Sequence, residues 1–155
     1  MRIFLITIGN RMPSWVVEAY EEYSKRMPKE YKLELIEVNA IRRTKNVDTK
    51  SIIKKEAVVL LAAIPKNCLV VLLDGKGQQW STAELAQNLD KWSNSGQNIA
   101  LLVGGPDGHD DKCKQLASLS WSLSRLTFPH SFVRILIAEQ LYRASCILKN
   151  HPYHK

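Results

Sequence analysis

The chain reads as an α/β protein built on a mostly parallel sheet with flanking helices. Two short runs, Cys68–Leu73 and Ile99–Val103, are apolar at every position. Strands of that kind occur where both faces of a sheet are covered, as in parallel sheets. Each run stops at a turn, Asp74-Gly75 in one case and Gly104-Gly105 in the other, and a segment of helical length lies between them. Strand and helix alternate along the whole chain, as crossover connections between parallel strands require.

The elements follow in order. Arg2–Ile8 reads as a strand, broken at Gly9-Asn10. Pro13-Ser14 opens a helix to about Met27, because Trp15, Val16, Ala19, Tyr20, Tyr23 and Met27 recur at helical spacing, and Pro28 closes the unit. Lys32–Val38 alternates polar and apolar residues like a half-buried strand. After a basic loop, a helix is expected from about Val47 to Ala63, stopping before Pro65. Cys68–Leu73 is the next strand. Ser81 and Glu84 have the spacing of a capping box, in which each side chain satisfies a free backbone donor, so a helix starts there and runs to about Ser93. Ile99–Val103 is followed by a short helix, about Asp110–Leu119, and by a last strand at Trp121–Leu126. Pro129 opens a long final helix, about Ser131–Asn150, with Val133, Ile137, Leu141, Ala144 and Leu148 on one face. No repeat, low-complexity tract or linker interrupts this order, so residues 1–155 are read as a single domain.

Hydrophobic residues make up 45% and charged residues 24%, the balance of a globular protein able to bury a core without disulfide or metal staples. The apolar run Ile3–Ile8 is too short to span a bilayer and lacks the flanks of a secretory signal, which points to a cytoplasmic protein with no membrane partner. Cys68, Cys113 and Cys146 are odd in number and widely spaced. They read as reduced packing residues, and no metal is expected. The formal net charge of +7 suits a polyanionic partner. Between Ile41 and Lys55 stand Arg42, Arg43, Lys45, Lys50, Lys54 and Lys55 against Asp48 alone, which reads as a phosphate-contacting stretch or as a solvated loop and helix face.

Ligands of parallel sheets bind beyond the carboxyl ends of the strands, so Leu73-Asp74-Gly75 and Val103-Gly104-Gly105 mark a candidate site. The GxGxxG and GxxxxGK[ST] phosphate cradles are absent, which weighs against a redox or nucleotide enzyme that relies on either. Ser122–His130 is apolar and hydroxyl-rich. It reads as a strand with an N-cap region, or as a loop that wraps an adenine with backbone amides and carbonyls. Arg134 and Arg143 on the final helix read as surface ion pairs, with RNA contact the alternative for Arg143. The terminal His151-Pro152-Tyr153-His154-Lys155 supplies too few ligands for a metal. Its residue types suit stacking on bases and contact with phosphate, the alternative being a frayed terminus.

Taken in order, the run ending Leu73-Asp74, the loop Gly104-Gly105-Pro106-Asp107-Gly108, the segment Leu123–His130, the terminal Asn150–His154 and the early turn Gly9-Asn10-Arg11-Met12-Pro13 resemble the RlmH family. These are SPOUT-superfamily methyltransferases that act on N3 of a pseudouridine in large-subunit (23S) rRNA. The resemblance covers the whole chain. It implies a trefoil knot in the C-terminal part of the sheet, a homodimer, and S-adenosylmethionine held by Leu73, Gly104, Gly105, Leu123, Ser124, Arg125, Leu126, Thr127 and Phe128. It also implies action on the assembled ribosome, with a site composed from two subunits. The attacking nitrogen must lose a proton. His130, His154 and Tyr153 are the catalytic candidates, with Asp107 a further possible base. Arg42, Arg43, Lys45, Lys50, Arg143, His151 and Lys155 are the candidates for RNA contact. A tRNA methyltransferase of the same fold and a non-catalytic RNA-binding protein are the alternatives, and cofactor binding separates the second of these from an enzyme.

Overall fold

The apolar residues of each strand divide by parity between two cores, and this division sets the architecture. In the computed structural model, which describes residues 1–154, the strands are β1 (Arg2–Ile8), β2 (Lys32–Val38), β3 (Cys68–Gln79), β4 (Asn98–Val103) and β5 (Leu119–Ser122). They form one sheet in the order β2-β1-β4-β3-β5, with every pairing parallel. Ile3, Leu5, Val71, Ile99, Leu101 and Val103 belong to one core, together with residues of α1 (Ser14–Arg26), α3 (Thr82–Asn94) and α5 (His130–Leu148). Phe4, Ile6, Ile8, Val70, Leu72, Ala100 and Leu102 belong to the other, against α2 (Thr49–Ala62) and α4 (Asp111–Leu116). Both faces are therefore dry, as the unbroken apolar runs of β3 and β4 require.

The expected alternation stands, and the Ser81–Glu84 capping box forms with both of its reciprocal bonds. Four elements differ in their boundaries. α2 begins at Thr49, with Asp48 as its N-cap. β3 continues past Leu73 through an irregularity to Gln79, where Trp80 stacks on Trp121 at 5.2 Å and packs near Trp92 at 6.1 Å. The last strand is Leu119–Ser122 and not Trp121–Leu126, and α4 correspondingly stops at Leu116. Beyond Ser122 the backbone is tied to side chains: Ser122 Oγ donates to the Ser124 carbonyl at 3.0 Å, and Leu126 N donates to Ser124 Oγ at 3.0 Å. Such local bonds compete with a ladder and leave a loop.

The α5 stripe is largely consumed inside the protomer. Ile137, Leu141 and Ala144 are fully buried in the first core, and Val133 and Leu148 pack against it. A second subunit would have to meet a different surface. After α5, Asn150 takes φ +54°, a left-handed value that a short polar side chain tolerates, and the chain doubles back as a 3-10 turn at Pro152–His154. Lys155 lies outside the described residues. None of the described helices is long and apolar enough to cross a membrane.

Candidate active site

The irregularity of β3 beyond Leu73 and the carboxyl ends of β4 and β5 surround a cavity of about 340 Å³. Its wall includes Leu73, Gly104, Gly105 and the entire Leu123–Phe128 loop, with His130 and Val133 from the first turn of α5. All nine residues expected to hold a cofactor are thus gathered around one space. Its volume is in the range, about 300–1,000 Å³, that takes a small organic ligand. The wall combines apolar side chains with strand-end backbone groups, and Asp74 and Arg125 are its charged members.

The glycines are explained by protein packing as much as by ligand access. A Cβ on Gly104 would stand 2.8 Å from His109 Cε1 and 3.0 Å from the Gly108 carbonyl oxygen. A Cβ on Gly105 would collide with the carboxylate of Glu56. His109 is buried, and its Nε2 lies 2.9 Å from the Leu73 carbonyl oxygen and 3.2 Å from the Gly104 amide nitrogen. In either tautomer that nitrogen ties His109 to a strand end, donating to Leu73 or accepting from Gly104. Burial lowers the His109 pKa, which keeps the ring neutral. The sequence offered no signal for this residue, since a lone histidine after a glycine loop reads the same whether it faces in or out.

His130 also lines the cavity. Its pKa is lowered first by burial and then by the charges of Arg134 and Arg43. A neutral imidazole at neutral pH is chemically able to accept a proton.

Arg134 is not a surface ion pair. Its side chain is buried on α5 and binds the Glu37 carboxylate and the Gly9 carbonyl. Arg43 is likewise engaged within the chain, with Asp107 of the glycine loop and, at 3.5 Å, with Glu56 of α2. It anchors the basic loop to the cavity wall. Arg42, Lys45 and Lys50 are exposed, and among the described residues none of them makes an ion pair. Lys50 stands in the first turn of α2, where a cation opposes the helix dipole.

Burial raises the Glu56 pKa, while Arg43 lowers it. Without Arg43 the folded-state value rises further above the unfolded one. The variant then loses stability as pH climbs from the unfolded value through the raised folded value, and regains it where Glu56 is protonated. Arg43→Met should therefore lower Tm by roughly 5 °C at about pH 7.5 and by much less at about pH 4.5. Thermal melts at the two pH values check this, and an equal loss at both would contradict it.

The tail is folded onto α5. Tyr153 packs against Tyr142 at 4.7 Å, lies under the Arg143 guanidinium at 4.7 Å, and donates its hydroxyl to Glu139 Oε1 at 3.2 Å. Arg143 also pairs with Glu139 at 2.6 Å. His151 N donates to the Cys146 carbonyl at 2.9 Å. Burial, with bonds to Tyr23 and Glu139, raises the Tyr153 pKa to about 12, so its phenol stays protonated at neutral pH. Glu139 lies about two and a half turns of α5 beyond His130, roughly 14 Å along the axis. Within one subunit, Tyr153 does not reach the cavity. Among the described residues, no three histidine, cysteine or acidic side chains are grouped to hold a metal ion.

A family described as "Predicted SPOUT methyltransferase" matches residues 1–154. The chain belongs to the SPOUT methyltransferase family. Ribosomal RNA large subunit methyltransferase H of Thioalkalivibrio sulfidiphilus is 55% identical over 155 residues, covering 100% of this chain and 99% of that protein. Among solved structures, a methylase family protein from Haemophilus influenzae aligns with a TM-score of 0.58 at 12% identity, over 99% of this chain and 70% of that one. A protein from Legionella pneumophila, solved with bound S-adenosylmethionine, aligns with a TM-score of 0.50 at 14% identity, over 93% of this chain and 66% of that one. At such identities the two structures speak for the fold alone.

Proposed function

We propose that this protein is an S-adenosylmethionine-dependent methyltransferase that modifies N3 of a pseudouridine in large-subunit rRNA on the assembled ribosome. The observation that carries the reading is the strand-end cavity lined by Leu73, Gly104 and Leu123–Phe128, in a chain more than half identical over its full length to a large-subunit rRNA methyltransferase. The residues fit the cofactor. Leu73, Leu123, Leu126, Phe128 and Val133 offer apolar walls for an adenine, and the backbone of the Leu123–Phe128 loop offers donors and acceptors for its edge. Asp74 would take up hydroxyl or ammonium groups. When bound, the sulfonium supplies an electrophilic methyl group. The protein's own task is to orient the attacking nitrogen and to relieve it of its proton. On the cavity wall, the neutral His130 is the candidate acceptor. The trefoil threading expected of the C-terminal part belongs to this proposal.

The active unit is read as a homodimer with a composite site, the tail of one subunit serving the cavity of the other. The position of Tyr153 at Glu139 supports this, because the tail stops short of its own cavity. The surface that suits a second copy is the exposed aromatic pair Trp15 and Phe132, 47% and 48% exposed and in edge contact at 5.6 Å. Exposed apolar groups of this size are typical of interfaces. Trp15→Glu with Phe132→Glu should yield a folded monomer at micromolar concentration in sedimentation runs, with methyl transfer lost. A dimer that survives both changes would place the interface elsewhere.

The function is tested by incubating the purified protein with methyl-labelled S-adenosylmethionine and ribosomes from cells that lack it, with tRNA in parallel. Label should enter the large-subunit rRNA. Label in tRNA alone would make the tRNA enzyme the better reading, and cofactor binding without any transfer would favour a non-catalytic protein.

A further inference from the structure

We propose that the groove between the loops following β1 and β2 is a nucleotide subsite for the RNA, with a phosphate between Arg11 and Arg42 and a base edge on the Asn10 and Asn39 amides. The inference rests on the proposed action on RNA and adds a place for RNA outside the cofactor cavity. The groove encloses about 670 Å³, ample for a nucleotide, and Asn10, Arg11, Met12, Asn39 and Arg42 line it. It opens at the same edge of the sheet as the cofactor cavity, since Ile8 and Val38 end β1 and β2 as Leu73 and Val103 face each other toward the ends of β3 and β4.

Arg134 links the two spaces. It binds the Gly9 carbonyl on the groove wall, and it stands one turn beyond His130 on the wall of the cofactor cavity. Unlike Arg43, neither Arg11 nor Arg42 makes an ion pair among the described residues, and both are exposed. Asn10 Nδ2 donates to Asn39 Oδ1 at 2.6 Å. Among the described residues the amides make no other side-chain bond, so the pair still offers the Asn10 oxygen as acceptor and the Asn39 amide as donor. Unpaired bases of RNA are read through such donor–acceptor edges, and arginines hold their phosphates.

The test is filter binding of 70S ribosomes lacking the modification, across a range of salt concentrations. The Arg11→Ala/Arg42→Ala variant should bind roughly tenfold more weakly, with a salt slope lowered by about 0.7 for one single-strand phosphate. Asn10→Ala/Asn39→Ala should weaken binding at an unchanged slope. Lys66→Ala/Lys91→Ala removes the same charge from exposed positions before β3 and in the last turn of α3, and should bind like wild type. Wild-type binding in either groove variant, or an equal loss in the lysine control, overturns the proposal. The enzymatic reading fails separately, on absent methyl transfer by the wild-type protein.

Discussion

Gly104→Val should weaken S-adenosylmethionine binding by roughly a hundredfold. The new side chain has no free volume, because its Cβ alone would stand 2.8 Å from the buried His109 ring and 3.0 Å from the Gly108 carbonyl. Relief requires the glycine loop or His109 to move, and His109 is bonded at the cavity wall, to the Leu73 carbonyl or to the Gly104 amide according to its tautomer. Overpacking of this kind costs about 1–3 kcal/mol. Concentrated in a ligand-binding wall, its upper end corresponds to about two orders of magnitude in affinity. Tm should fall by a few degrees while the far-ultraviolet dichroism stays that of a folded α/β protein. Calorimetric titration with S-adenosylmethionine is the check, and wild-type affinity in a folded variant would remove Gly104 and its wall from the cofactor site.

Deleting His151–Lys155 should leave cofactor affinity within about threefold of wild type and lower methyl transfer to ribosomes by at least about a hundredfold. The described part of the tail touches α5 through Tyr153 and His151, and none of it lines the cavity. Its loss removes the cover over Glu139, Arg143 and Tyr142, a modest cost in stability. On the composite reading it also removes what one subunit lends to the other's substrate. Tyr153→Phe keeps the ring against Tyr142 and Arg143 and loses only the hydroxyl's bonds to Glu139 and Tyr23, so it should retain far more activity than the deletion. Single-turnover transfer rates decide the matter. A truncated protein that methylates ribosomes at the wild-type rate makes the tail dispensable.

Much of this was legible because the physics is local. The apolar runs of β3 and β4, the Ser81–Glu84 capping box and the helical spacing of α1 are patterns within a few residues, and each appears where expected. The glycine-marked strand ends pointed to the cavity because parallel sheets place their ligands there. What was missed is long-range. Arg134 pairs with Glu37 across 97 positions, and Arg43 with Asp107 across 64, and no sequence window contains either pair. Ser122–Leu126 alternates like a strand, yet its serine hydroxyls bond to nearby backbone and hold it as a loop. The α5 stripe showed correctly that one face is apolar, but periodicity alone does not say whether that face meets its own core or a second subunit.

The most direct test locates the methyl group. Ribosomes from cells lacking the protein are treated with the purified protein and S-adenosylmethionine, and nucleosides of the large-subunit rRNA are resolved by mass spectrometry. One new nucleoside should appear, a pseudouridine methylated at N3, and the Gly104→Val protein should fail to produce it. A methyl group on another base, on a ribose, or in another RNA would contradict the reading.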